Sequence, residues 1–262
     1  MNQVLTYLLV FLLVSFSVVD SSAQGCSDAG FCTIGAMRPG QPYTKDMQLT
    51  LKSVELSQYV GVTKLGDKIY ATTLDINLGV TDKDAIQFKL PYMAAEGSLG
   101  YSQGVGDVSL GYTRILKKTA KYQFNVTGGA KIALGKSDKE FEGKPLPMYY
   151  QQNLGTYDAI LGFSLQTNKW LVATGLQYPL TANSNQFVWK PWIQDGTSRE
   201  EIEHYPSSID LDRGKDVMLR VERSLRKSNW GVNIGLLGIY RLNIDERTNP
   251  QTKERELVAG TD

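Results

Sequence analysis

The chain of 262 residues has little of several residue types that mark common functional sites. It contains one histidine and two cysteines, too few for the four ligands of a structural zinc site. Its formal charge is +1, so the composition gives no sign of a nucleic-acid-binding surface. After residue 19, no apolar run is long enough to cross a membrane as a helix, and no clear amphipathic helix follows. We therefore predict no metal site, no cofactor and no nucleic-acid partner.

The one apolar run lies at the start of the chain, over residues 5–19, and is short for a membrane-spanning helix. It is followed by Ser-Ser-Ala at 21–23, which fits a signal peptidase site with cleavage before Gln24. The spacing predicts a signal peptide over residues 1–23, although no lysine or arginine precedes the run. An uncleaved anchor and a lipoprotein modified at Cys26 are the alternatives.

Residues 24–48 are predicted to form a polar periplasmic segment that contains both cysteines. In an exported protein, two cysteines as close as Cys26 and Cys32 are expected to form a local disulfide. The segment either hangs free or folds back as a small plug.

The rest of the chain, residues 49–262, is dominated by alternating apolar and polar residues, which is typical of β-strands. Tight turns alternate with long polar connections, as in membrane barrels with periplasmic turns and outer loops. Most segments are long enough to cross a bilayer as tilted strands. The nine predicted strands are 49–62, 69–80, 84–93, 105–116, 121–134, 155–166, 170–180, 214–226 and 229–242.

When these strands are placed alternately up and down across a membrane, two sets of side chains can be distinguished. The first set lies on the polar faces, and we predict that it lines the lumen of a barrel: Asp75, Lys89, Asp107, Lys131, Asp158, Arg220, Glu222 and Arg241. The second set lies on the apolar faces at the strand ends, as expected of aromatic girdles at lipid–water boundaries: Tyr70, Tyr92, Tyr112, Tyr122, Tyr157, Trp170, Tyr178, Trp230 and Tyr240.

The glycine-rich stretch at residues 104–111 reads Gly-x-Gly-Asp-x-x-x-Gly. The chain resembles outer-membrane β-barrel proteins of Gram-negative bacteria. This stretch is similar to one in the channel family linked to phenol meta-pathway degradation, which is related to fatty-acid porins. The resemblance implies passage of small solutes, including apolar ones, across the outer membrane. It implies outer-membrane lipid and the barrel-assembly machinery as partners.

The predicted strand number departs from this pattern, because single-chain bacterial barrels have even numbers of strands. Two explanations remain. Either residues 31–37 form an additional strand, or the chain is truncated and lacks its closing strand or strands. We favour the second, so the complete protein would have ten or more strands.

Three functions fit these observations. The first is a channel or transporter for a small solute, and the second is a structural or surface-interaction barrel with a sealed lumen. The third is an enzyme at the outer rim, whose candidate groups lie together in the 181–213 loop: His204, Ser207, Ser208 and Asp210. A loop sequence alone does not hold these groups within hydrogen-bond reach, so we expect no catalysis. The aromatic residues of this loop either bind a ligand or pack together over the barrel mouth.

The sequence therefore predicts an all-β protein: an antiparallel, up-and-down transmembrane β-barrel in the outer membrane of a Gram-negative bacterium. Its expected role is passage of a small-molecule solute.

Overall fold

The computed structural model describes residues 32–38, 50–135, 137–227 and 230–258. The predicted signal peptide over 1–23 lies outside these residues. So does Cys26, and the predicted disulfide to Cys32 therefore stays a prediction.

The described chain is mostly antiparallel β-structure. Its helical elements are short: α1 (Lys190–Gln194), α2 (Arg199–Ile202) and the 3-10 turns Gly35–Met37 and Met148–Tyr150. The strands are β1 (Thr50–Val62), β2 (Lys68–Gly79), β3 (Asp84–Gly97), β4 (Gly100–Val105), β5 (Val108–Lys118), β6 (Tyr122–Ile132), β7 (Glu140–Phe141), β8 (Lys144–Pro145), β9 (Asp158–Thr167), β10 (Trp170–Pro179), β11 (Asp216–Lys227), β12 (Trp230–Arg241), β13 (Glu246–Thr248) and β14 (Arg255–Leu257).

One sheet contains ten of these strands and curls into a half-barrel. Along it the strands follow the order β1-β2-β3-β5-β6-β9-β10-β11-β12, each antiparallel to its neighbours. These nine strands match the nine predicted segments, so the all-β, up-and-down prediction is confirmed. Within the described residues, β1 and β12 are the two edges of the sheet.

The connection predicted as a loop over 94–104 is instead part of a hairpin. β3 continues to Gly97 and turns back into β4, with Gly97 opposite Gly100. Gly100 has a φ of +122°, which side chains rarely adopt, so glycine permits this turn. β3 pairs with β4 along its second half and with β5 along its first half. This hairpin was not predicted because apolar and polar residues do not alternate clearly along β4.

The less favoured explanation for the odd strand number, an additional strand over residues 31–37, is wrong for the described residues. Residues 32–38 form a compact turn that includes the 3-10 turn Gly35–Met37. Gly35 has a φ of +51°, which interrupts extended backbone.

Burial in the sheet is inverted relative to a soluble protein, and β9 shows this most clearly. From Asp158 to Gln166 its residues alternate strictly between buried and exposed. Ser164 is 2% exposed, whereas its neighbour Phe163 is 37% exposed. A soluble antiparallel sheet buries its apolar face and exposes its polar one. In the inner strands of this sheet the polar face is covered and the apolar face is open, whereas the edge strands β1 and β12 are exposed on both faces.

The short turns meet at one edge of the sheet, which we call the turn edge; the opposite edge is the loop edge. β2–β3, β5–β6, β9–β10 and β11–β12 are joined at the turn edge by connections of two to four residues. The loop edge carries the long connections, 133–157 and 180–215. This sorting of short and long connections was predicted and is confirmed.

The long connections fold together as a cap over the loop edge. They pack Phe187, Trp192 and Tyr205 into one buried cluster. Of the two alternatives for the aromatic residues of the 181–213 loop, packing together is therefore the one that the structure shows for these three. The other buried members are Ile69, Ala71, Met93, Ala95, Leu99, Leu146, Tyr150 and Ile202.

Candidate functional site on the inner face of the sheet

Residues 32–38 lie against one face of the curled sheet, which we call the inner face; we call these residues the plug. The plug contacts β3, β5, β6, β9 and β10 through its 3-10 turn. Ile34 and Met37 are buried in a small apolar cluster with Ile160 and Met218. The plug therefore covers the middle of the inner face, as one of the two predicted arrangements of the N-terminal segment requires.

Glycines on the inner face make room for the plug. A Cβ atom added at Gly111 would lie 2.7 Å from Cγ2 of Ile34, and one at Gly162 would lie 2.8 Å from Sδ of Met37. Both distances are shorter than real carbon contacts, so a side chain at either position would force Ile34 or Met37 to shift. This close approach explains why these strands carry glycines that strands otherwise avoid.

Side chains of the inner face also hold the backbone of the plug. The amide of Ala36 donates to Oγ1 of Thr127 at 2.7 Å, and the amide of Gly35 donates to Oε1 of Gln87. Lys89 donates to the hydroxyl of Thr33. Nη2 of Arg220 lies 3.4 Å from the carbonyl oxygen of Cys32. Two of the predicted lumen residues, Lys89 and Arg220, therefore contact the plug directly.

A first ion pair lies beneath the plug, between β2 and β3. Nζ of Lys89 is 3.5 Å from Oδ2 of Asp75, and both side chains are only 9% exposed. Gln87 donates to the same carboxylate at 2.8 Å. Asp75 and Lys89 are directly opposite in the β2–β3 register, which brings these two predicted residues together.

A second group of charges lies near the loop edge, where several strands end. Nζ of Lys131 is 3.6 Å from Oδ2 of Asp107 and 3.2 Å from Oδ2 of Asp158. Nη1 of Arg213 is 3.7 Å from the Asp158 carboxylate. We call these four residues the buried charge cluster, because each side chain is at most 2% exposed. Two acids and two bases balance its formal charge.

The ion pairs continue from this cluster to β12. Asp216 accepts from Nε of Arg241 at 2.9 Å and lies 3.3 Å from Nη2 of Arg213. Arg241 also donates to Asp245 at 2.8 Å. Glu222, the remaining predicted lumen residue, is buried at 5% exposure.

Sequence reasoning missed Arg213, Asp216 and Asp245. Asp216 has the same strand parity as Arg220 and Glu222, so the alternation could have identified it. The other two residues lie in connections, where alternation gives no information.

The predicted aromatic residues lie on the outer face near the strand ends. Seven are between 38% and 67% exposed: Tyr70, Tyr92, Tyr112, Tyr157, Trp170, Tyr178 and Tyr240. Tyr122 is partly exposed, and the side chain of Trp230 lies outside the described set. Basic groups stack on three of these rings: Lys117 on Tyr122, Arg223 on Trp170 and Lys215 on Tyr178, at 4.7 to 5.9 Å.

A buried carboxylate ties the cap to the β1–β2 turn. Asp67 is 1% exposed and accepts from the hydroxyls of Tyr150 at 2.6 Å and Tyr205 at 2.9 Å. Burial, with the hydrogen bond to Asp67, raises the pKa of Tyr205 to about 12. The same two causes raise the pKa of Tyr150. Both tyrosines therefore stay protonated donors at neutral pH, and they link both long connections to β1–β2.

The polar groups near His204 make separate contacts. His204 is exposed, whereas Ser208 is buried and donates to Oδ1 of Asn185. Asp210 accepts from Thr248 at 3.2 Å. The serine and the aspartate are thus engaged with partners other than the histidine.

Comparison with known proteins assigns no family: neither a family model nor a curated protein matches the sequence. Across the described ranges, no helix is both long enough and apolar enough to cross a membrane.

Proposed function

We propose that this chain is an outer-membrane β-barrel protein of a Gram-negative bacterium, with its outer face in lipid. The inverted burial of the sheet carries this proposal. Leu161, Phe163 and Leu165 project outward from consecutive outer positions of β9 and are 37–44% exposed. Lipid is the solvent in which such a face is stable, because each buried CH₂ contributes about 0.8 kcal/mol. The exposed aromatic residues at both strand ends also suit two lipid–water boundaries.

Within this barrel, we propose a path for a small solute along the inner face, controlled by the plug. Charged side chains occur at two levels of this face, at the Asp75–Lys89 pair and at the buried charge cluster. Paired charges of both signs favour neutral or dipolar solutes over ions of one sign. The described plug is a seven-residue segment, so its displacement would uncover the middle of the path.

A sealed structural barrel is the second candidate, and one observation favours it. The inner-face charges already have partners across the sheet, and the cap lies over the loop edge. In that case the ion pairs stabilise the fold and nothing passes.

Conductance of the purified mature protein in planar bilayers separates the two candidates. The informative variant is Gly35→Val, which changes the plug and leaves the sheet intact. Its Cβ would lie 2.5 Å from Oγ1 of Thr127, at a φ of +51° that valine avoids. The matched control is Gly128→Val, because a Cβ at Gly128 meets nothing within 4 Å.

We expect low conductance from the wild-type protein and from Gly128→Val, and larger conductance from Gly35→Val. If all three proteins insert but none conducts or admits uncharged solutes in liposome swelling, the channel proposal is wrong and the sealed barrel stands.

A further inference from the structure

Three of the four short turns share the sequence Thr-x-Lys, at residues 81–83, 119–121 and 167–169. In each turn the threonine hydroxyl accepts from the backbone amide of the lysine, at 3.1 to 3.3 Å. It also accepts from the next amide, at 2.9 to 3.1 Å. Such a threonine turn orders the backbone of the hairpin. Lys83, Lys121 and Lys169 are therefore carried on ordered turns at the turn edge, and all three are exposed.

Other basic side chains surround these turns. Arg114, Lys117, Lys118 and Arg223 are exposed near the same edge. Lys117 and Arg223 lie over the rings of Tyr122 and Trp170, which face outward. These two basic groups therefore lie directly beside aromatic side chains at the border of the apolar outer face.

Acidic side chains are distributed in the opposite way. In the described hairpin turns of the turn edge, the acids are Asp82 and Asp84. Asp84 is engaged by Tyr112 and by Arg114, whose Nη1 lies 3.3 Å away. At the loop edge the exposed acids are numerous: they include Glu140, Glu142, Asp195, Glu200, Glu201, Glu203, Asp210, Asp212 and Glu254. The turn edge is therefore the basic end of the molecule.

We propose that the turn edge binds the phosphate headgroups of anionic phospholipids, which fixes this edge against one leaflet. The inference rests on the proposed membrane location. Its support is charge complementarity at the boundary of an apolar face, where a lysine can reach a headgroup while the neighbouring aromatic ring contacts acyl chains. The turns are spread along the sheet, so each lysine serves a different lipid.

Lipid selectivity can be measured with spin-labelled lipids. The mature protein is reconstituted in phosphatidylcholine bilayers, and electron paramagnetic resonance compares its association with labelled phosphatidylglycerol and phosphatidylcholine. We expect a preference for phosphatidylglycerol of up to about fivefold, the effect of one basic residue near the surface. High salt should reduce this preference.

The test variant is Lys83→Gln/Lys121→Gln/Lys169→Gln. Its matched control, Lys64→Gln/Lys139→Gln/Lys190→Gln, removes the same charge from exposed positions at the loop edge. The preference should fall towards onefold in the test variant and persist in the control.

The outcomes distinguish this proposal from the membrane proposal. If the wild-type protein inserts but shows no preference, or if the control loses as much as the test variant, the headgroup proposal is wrong. If the wild-type protein does not enter bilayers of either lipid, the membrane location itself is wrong.

Discussion

Replacing Lys131 by methionine should be one of the most damaging changes in the inner face. The side chain is 1% exposed, and its ammonium group lies between the carboxylates of Asp107 and Asp158. Methionine keeps most of the volume but leaves the buried charge cluster with two acids and only Arg213 as a base. Breaking a buried ion pair on one side costs about 3–5 kcal/mol, because an uncompensated charge stays buried. We expect a loss of this size in the free energy of unfolding.

A second substitution, Asp107→Asn, should compensate for Lys131→Met because it restores the neutrality of the buried charge cluster. In Lys131→Met/Asp107→Asn, one acid and one base remain in the cluster. Asparagine can still accept from the amide of Leu154, which now donates to Oδ2 of Asp107 at 3.0 Å. We expect the double variant to recover most of the lost stability, since neutral replacement of buried charges is often tolerated.

Urea titrations of refolded protein in detergent micelles, followed by tryptophan fluorescence, measure these differences. Lys139→Met at an exposed position is the control and should change stability by less than about 0.5 kcal/mol. A loss below about 1 kcal/mol for Lys131→Met, or no recovery with Asp107→Asn, would refute the electrostatic reasoning.

Three further predictions concern the outer face, the cap and the plug. Phe163→Arg should reduce the stability of membrane-inserted protein by about 2–4 kcal/mol, measured by reversible unfolding from lipid vesicles. Because the folded pKa of Tyr205, about 12, is above the unfolded value near 10, its contribution is complete below pH 10 and is lost as pH rises to 12. Near-ultraviolet circular dichroism should show the cap loosening in that window. In urea, where the buried Cys32 becomes accessible, both cysteines should resist alkylation until a reductant is added, as seen by mass spectrometry.

Each of these predictions has a clear contrary result. Phe163→Arg with unchanged stability would show that this position does not meet lipid. The Tyr205→Phe variant should show a weaker alkaline transition, and an unchanged transition would remove Tyr205 as its cause. Alkylation of Cys32 without reductant would exclude the disulfide.

The strands and short turns were predictable because their signals are local. Alternating side chains point to opposite faces of any strand, so period-two sequences such as 158–167 identify both the strand and its two faces. That rule also placed Asp75, Lys89 and Lys131 on one face. It failed for the β3–β4 hairpin, where the alternation is weak, and it left open an additional strand over residues 31–37, where residues 32–38 form a compact turn.

Pairing between distant residues was decided only in the tertiary structure. Lys131 meets both Asp107 and Asp158 because β5, β6 and β9 are neighbours in one particular register. Register is a long-range property that a single strand sequence does not contain. The same holds for the bonds from Tyr150 and Tyr205 to Asp67, which join residues 83 and 138 positions apart. The sequence by itself determined which face of its strand a side chain takes, and the pairing and curvature of the strands decided which charges, glycines and rings meet.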